Sequence, residues 1–141
     1  MGKVSVIDRG KMNIVIGGGE KVNRKVVESK KIDILLSPEE GSERDFMHSR
    51  GSGLNQVLCK LAKQNKVAIG FSFNKILNTD GIRRALILGR MMQNVKLCRK
   101  YKVRMVIVNH TAELSERAEG DLRSVGVCLG MHPKEISVLY L

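Results

Sequence analysis

Two almost unbroken apolar runs, Val67-Ala68-Ile69-Gly70-Phe71 and Met105-Val106-Ile107-Val108, constrain the fold of this chain more than any other feature. Runs of this kind mark strands covered on both faces, the condition of a parallel sheet. From Leu54, ahead of the first run, the hydrophobic period changes. Leu54, Val57, Leu58, Leu61 and Ala62 stand at i, i+3, i+4, i+7 and i+8, which predicts an amphipathic helix ending near Asn65. Asp80 is placed to cap a long helix over 81–101, with an expected inner stripe of Ala85, Leu88, Met92, Val95 and Cys98. Upstream, Val4-Ser5-Val6-Ile7, Asn13-Ile14-Val15-Ile16 and Ile32-Asp33-Ile34-Leu35-Leu36 read as strands, and residues 20–29 as a helix with Val22, Val26 and Val27 on one face. Two short helices are expected to close the chain, one over 121–129 and one opened by Pro133. Strands alternating with helices require βαβ units, so the class is α/β with about five parallel strands. A doubly wound sheet and a (β/α) barrel share this signature.

The 141 residues suit a single domain. They carry 25 Lys+Arg against 14 Asp+Glu, a net charge of +11 that attracts polyanions. No apolar run approaches the ~20 residues a spanning helix needs, and the start is too charged for a secretory signal. Nucleic acid therefore leads as the expected partner, and no membrane role is expected. Cys59, Cys98 and Cys128 are widely spaced in apolar helical patterns, which predicts buried thiols in a cytoplasmic protein rather than disulfides or a zinc site.

Gly17-Gly18-Gly19 follows a strand and opens a helix, but the third glycine of a dinucleotide fingerprint falls on Val22 and no phosphate-loop lysine follows. A tight strand-to-helix turn is the expectation. In parallel α/β folds chemistry collects at the carboxyl ends of strands. The polar residues there are Ser37, Glu39 and Glu40, then Ser72 and Asn74, then Asn109 and His110. A metal-dependent phosphoesterase would build its site from Glu39, Asn109 and His110, yet it needs several converging His and Asp ligands. The chain has three histidines, His48, His110 and His132. A solvated rim without catalytic groups is the plainer expectation.

From Gly81 to Ala112 there are eight Lys or Arg and no Asp or Glu. Solvated faces normally mix both signs, so a single-signed helix points to phosphate contact. Arg83, Arg90 and Asn94 fall on one arc, read as opposite the apolar stripe, with Lys96 and Lys100 toward its side. The candidate RNA-binding set is Lys60, Lys63, Arg83, Arg84, Arg90, Lys96, Arg99, Lys100 and Lys102. Lys66 extends it, and Lys21, Arg24 and Lys25 form a second patch. Aromatics are only 4% of the chain, and Phe71 and Phe73 are assigned to a strand. Contact with folded RNA through its phosphates therefore fits better than base stacking.

The stretch Ser52-Gly53-Leu54-Asn55-Gln56-Val57-Leu58-Cys59-Lys60-Leu61-Ala62-Lys63-Gln64-Asn65-Lys66-Val67-Ala68-Ile69-Gly70-Phe71-Ser72-Phe73 resembles the protein component 3 family of ribonuclease P. Further matching stretches are Val22-Asn23-Arg24-Lys25-Val26-Val27-Glu28, Ile32-Asp33-Ile34-Leu35-Leu36-Ser37-Pro38, Asn94-Val95-Lys96-Leu97-Cys98-Arg99-Lys100-Tyr101-Lys102-Val103, and Asp121-Leu122-Arg123 leading to Leu129-Gly130-Met131. The resemblance implies a TIM-barrel-like fold of the polymerase-and-histidinol-phosphatase superfamily without its metals. It also implies a non-catalytic role in the ribonucleoprotein that removes the 5′ leader from precursor tRNA. The implied partners are the ribonuclease P RNA, the component 2 subunit and precursor tRNA. Mg²⁺ is expected on the RNA and no cofactor on this chain. The whole chain, 1–141, is expected to form one incomplete (β/α) barrel-like domain lacking the family's amino-terminal βα units.

Overall fold

The computed structural model describes residues 6–9, for which only the backbone is considered, together with 12–41, 51–109 and 119–140. In chain order the elements are β1 (Val6–Arg9), β2 (Met12–Ile16), α1 (Glu20–Glu28), β3 (Ile34–Leu36), α2 (Gln56–Gln64), β4 (Ala68–Ser72), α3 (Phe73–Leu77), α4 (Gly81–Tyr101), β5 (Met105–Asn109), α5 (Glu119–Cys128) and β6 (Ile136–Tyr140). A single 3₁₀ turn, Pro133–Glu135, leads into β6.

The six strands form one sheet in the order β1-β2-β3-β4-β5-β6. β2 to β6 are parallel, and β1 runs antiparallel to β2. Every strand lies beside its neighbour in sequence, with no reversal of order. That is the winding of a barrel, whereas a doubly wound sheet reverses at a switch point. The five parallel strands therefore make an open segment of a TIM-barrel-like fold.

Alternation along the strands divides the core between the two faces of the sheet. Val15, Leu35, Ile69, Phe71 and Ile107 pack with Val26 and Val27 of α1, Leu58 and Ala62 of α2, Met91 and Val95 of α4, and Leu122 of α5. Ile14, Ile34, Leu36, Ala68, Val106 and Val108 form a second cluster on the opposite face. All the long helices thus lie against one face, as barrel winding demands.

Three expectations need correction. The chain does not end in two helices: Pro133 opens only one turn, and Ile136–Tyr140 then pairs with β5 as a fifth parallel strand. Phe73 is not in a strand. The Ser72 side chain accepts from the Lys75 amide, capping α3, which begins at Phe73. The inner stripe of α4 is also rotated. Its buried residues are Ile87, Arg90, Met91, Asn94, Val95 and Cys98, whereas Ala85 and Met92 are exposed. Apolar residues occur on every side of α4, so periodicity does not single out a face.

Candidate nucleic-acid interface

The two rims of the parallel sheet differ in chemistry, and the carboxyl end is a tied polar cluster. Asn23, fully buried in α1, donates to the carbonyls of Pro38 (2.9 Å) and Gly53 (2.8 Å) and accepts from the Gly18 amide (3.1 Å). A Cβ on Gly17 would meet Asn23 Oδ1 at 2.4 Å, and one on Gly53 would meet the Pro38 carbonyl oxygen at 1.9 Å. The glycine-rich turn thus serves close packing around this amide. From the next strand end, Glu39 turns inward, 3% exposed and with neither carboxylate oxygen hydrogen-bonded. Burial pushes its carboxyl up from 4.5 to about 7, and Lys75, 3.9 Å away, opposes that shift only in part. Lys75 is closer to Glu40, at 2.8 Å. Glu39, Glu40, Lys75, Arg83 and Arg90 line a cleft of about 240 Å³.

Arg90 and Asn94 therefore face inward, not away from the core. Arg90 is 7% exposed and lines the same cleft as the buried Glu39. Asn94 is fully buried and donates to the Ser52 carbonyl at 3.0 Å. Asn109 is also buried, with neither side-chain polar atom hydrogen-bonded. His48 and His110 lie outside the described residues, and His132 is exposed before the 3₁₀ turn. Among the described residues, no three His, Cys, Asp or Glu side chains converge as a metal site. Nothing in this geometry favours the phosphoesterase alternative.

Two further candidates are committed to the fold. Arg84 donates to the carbonyls of Ile76 (3.0 Å) and Leu77 (3.3 Å), closing the end of α3. Arg99 pairs with Glu135 at 2.9 Å and donates to the Gly130 carbonyl, holding the Glu135 carboxyl below the usual carboxylate range. Lys60, Lys63, Arg83, Lys96, Lys100 and Lys102 are exposed. The ammonium groups of Lys60 and Lys100 lie 6.0 and 5.5 Å from the centre of the Tyr101 ring, so α2 and α4 present them together.

The amino-end rim is basic. Each helix-to-strand connection leading into β3, β4, β5 and β6 carries exposed cations: Lys30 and Lys31, Lys66, Lys102 and Arg104, and Lys134. Lys63, Lys66, Lys102 and Arg104 line a cleft of about 210 Å³ with Ala62, Val67 and Val103, and no carboxylate contributes to it. Elsewhere on the described surface Arg24, Lys75 and Arg123 each pair with a glutamate, and on this rim Arg99 pairs with Glu135, which lines a neighbouring cleft with Lys102, Arg104 and Lys134. Lys30, Lys31, Arg104 and Lys134 are absent from the sequence-based candidate set. The available signal is the recurrence of lysine just before each apolar strand.

The comparisons with known proteins settle the family. The family model described as RNase P subunit p30 matches residues 9–137. The chain belongs to that family. It is 41% identical to ribonuclease P protein component 3 of Methanosarcina acetivorans over 101 residues, 70% of this chain and 39% of that protein. The component 3 protein of Methanococcoides burtonii is 33% identical over 130 residues, 90% of this chain and 51% of that protein. A chain in the cryo-EM structure of archaeal ribonuclease P with mature tRNA superposes with a TM-score of 0.70 at 31% identity, covering 89% of this chain and 52% of that one. This p30-family chain therefore spans about half or less of the length of these relatives.

Among the described residues, no helix is long and apolar enough to cross a membrane.

Proposed function

We propose that this chain is a non-catalytic protein subunit of ribonuclease P, supporting RNA-catalysed removal of the 5′ leader from precursor tRNA in the cytoplasm. The observation that carries the reading is the match of 89% of this chain to a chain in the cryo-EM structure of archaeal ribonuclease P with mature tRNA. The basic surface supplies the physical means. Exposed Lys60, Lys63, Lys96, Lys100 and Lys102 neutralise phosphates, relieving repulsion between the catalytic RNA and its RNA substrate. Arg83 contributes less, because it shares its cleft with Glu39 and Glu40. In this reading Mg²⁺ belongs to the RNA, and this chain acts as one barrel-like unit beside the component 2 subunit.

Reconstitution with the RNA and partner proteins tests the proposal. Omitting this chain is expected to slow leader removal most at limiting Mg²⁺. Equal rates with and without it across the Mg²⁺ titration would show the reading to be wrong.

A further inference from the structure

Three helices of this chain end in the same turn, and two of them put an unexpected residue at its critical position. In α5, the Gly130 amide donates to Val127 and the Met131 amide to Gly126, with Gly130 at φ 104°. This is the familiar helix stop in which glycine takes the left-handed residue. In α2, Lys66 donates to Lys63 and Val67 to Ala62; in α4, Lys102 donates to Arg99 and Val103 to Cys98. Lys66 and Lys102 both sit at φ 58°. A side chain with a Cβ is disfavoured there, and lysine gains no local hydrogen bond of the kind that helps asparagine.

The favourable interaction of a cation with a helix carboxyl end does not account for this choice. Lys63 in α2 and Arg99 and Lys100 in α4 already supply cations in the last turn, in ordinary helical geometry. The left-handed backbone does something else: it anchors Lys66 and Lys102 in neighbouring connections, before strands paired directly in the sheet. Both line the cleft that holds Lys63 and Arg104 and no carboxylate. No aromatic residue lines it, so it offers charge without a stacking platform.

We propose that the helix-to-strand turns before β4 and β5 form a binding site for the phosphate backbone of double-helical RNA, with Lys66 and Lys102 at its centre flanked by Lys63 and Arg104. This rests on the RNA-binding reading above and assigns it to the amino-end rim, opposite the cleft that contains Glu39.

The test is filter binding of a 20-base-pair RNA duplex to the full chain across a KCl series, with thermal melting of each variant. Removing one phosphate contact lowers the log–log salt slope by about 0.9, and lowers affinity about eightfold at 0.1 M if affinities converge at 1 M. Lys66→Gly with Lys102→Gly is therefore expected to lose about 1.8 of the slope while its melting temperature rises, because glycine accepts the left-handed backbone. Lys66→Asn with Lys102→Asn gives the same binding loss with a residue that tolerates the turn. Lys75→Gln with Arg123→Gln removes equal charge at cations that are paired with glutamates, and is expected to keep the slope. An unchanged slope in both rim variants, or an equal loss in the Lys75/Arg123 control, overturns the site assignment while RNA binding stands. A lower melting temperature in both rim variants overturns the strain argument. If the unaltered chain shows no salt-dependent affinity for the duplex, the RNA-binding reading falls and this site with it.

Discussion

Replacing Glu39 by Gln should stabilise the protein above neutral pH and leave it nearly unchanged in acid. The native carboxyl is buried without a hydrogen bond and titrates at about 7 instead of 4.5. In acid both the folded and unfolded chains hold the proton, and no difference arises. As pH rises from 4.5 toward 7 the unfolded chain loses its proton while the folded one keeps it, so stability declines. Beyond the folded-state value the full penalty applies, about 3 kcal/mol for a displacement of this size. Glutamine resembles the protonated acid in shape and in its unpaired state, so it removes the pH-dependent penalty. Lys75 keeps Glu40 as a partner at 2.8 Å, which limits the offsetting loss. Urea unfolding followed by circular dichroism at about pH 4 and about pH 8 measures both variants, with equal slopes showing that only stability has changed. A variant with the same advantage at both pH values, or none at the higher one, would refute the argument from burial.

Asn23→Ala should cost about 2–4 kcal/mol in the same unfolding assay, since it leaves the buried Pro38 and Gly53 carbonyls without their donor; a loss within measurement error would mean that water replaces the amide. Thiol labelling with a water-soluble disulfide reagent should modify Cys128 alone in the native protein, because Cys128 is exposed while Cys59 and Cys98 are buried. The hydrogen bond between those two free thiols, with burial, pushes Cys98 up and keeps it unreactive. Rapid native labelling of all three would contradict the packing of α2 against α4.

The class and most of the element order were legible because buried parallel strands write themselves as apolar runs. Val67–Phe71 and Met105–Val108 correspond to β4 and β5, and the 81–101 helix is found with its bounds. Ile136–Tyr140 does not read as a buried strand, because Pro133 just before it is a helix-start signal and its Ser137 is exposed. The winding is not legible in the hydrophobic pattern, which a doubly wound sheet shares, because strand order is set by which helix packs on which face; the family resemblance alone pointed to the barrel. The same limit applied to Arg90. Its sequence neighbours identify a cation on a helix, but its burial follows from which side of α4 turns toward the core and the cleft that holds Glu39, fifty-one positions away in the chain. The basic nature of the surface was plain from composition. Lysines recur in the sequence before successive apolar strands, but they become one rim only with the sheet in register.

Hydrogen bonding between neighbouring strands has a consequence for the lysines mounted at their amino ends. Adjacent parallel strands repeat at about 4.8 Å, so the bases of these side chains are set out on a ruler whose pitch belongs to the backbone. A ligand with regularly spaced negative groups meets anchors already in place, and only the flexible stems remain to be ordered on contact. Insertion of a residue into any one of these turns would spoil that pitch without removing a single charge.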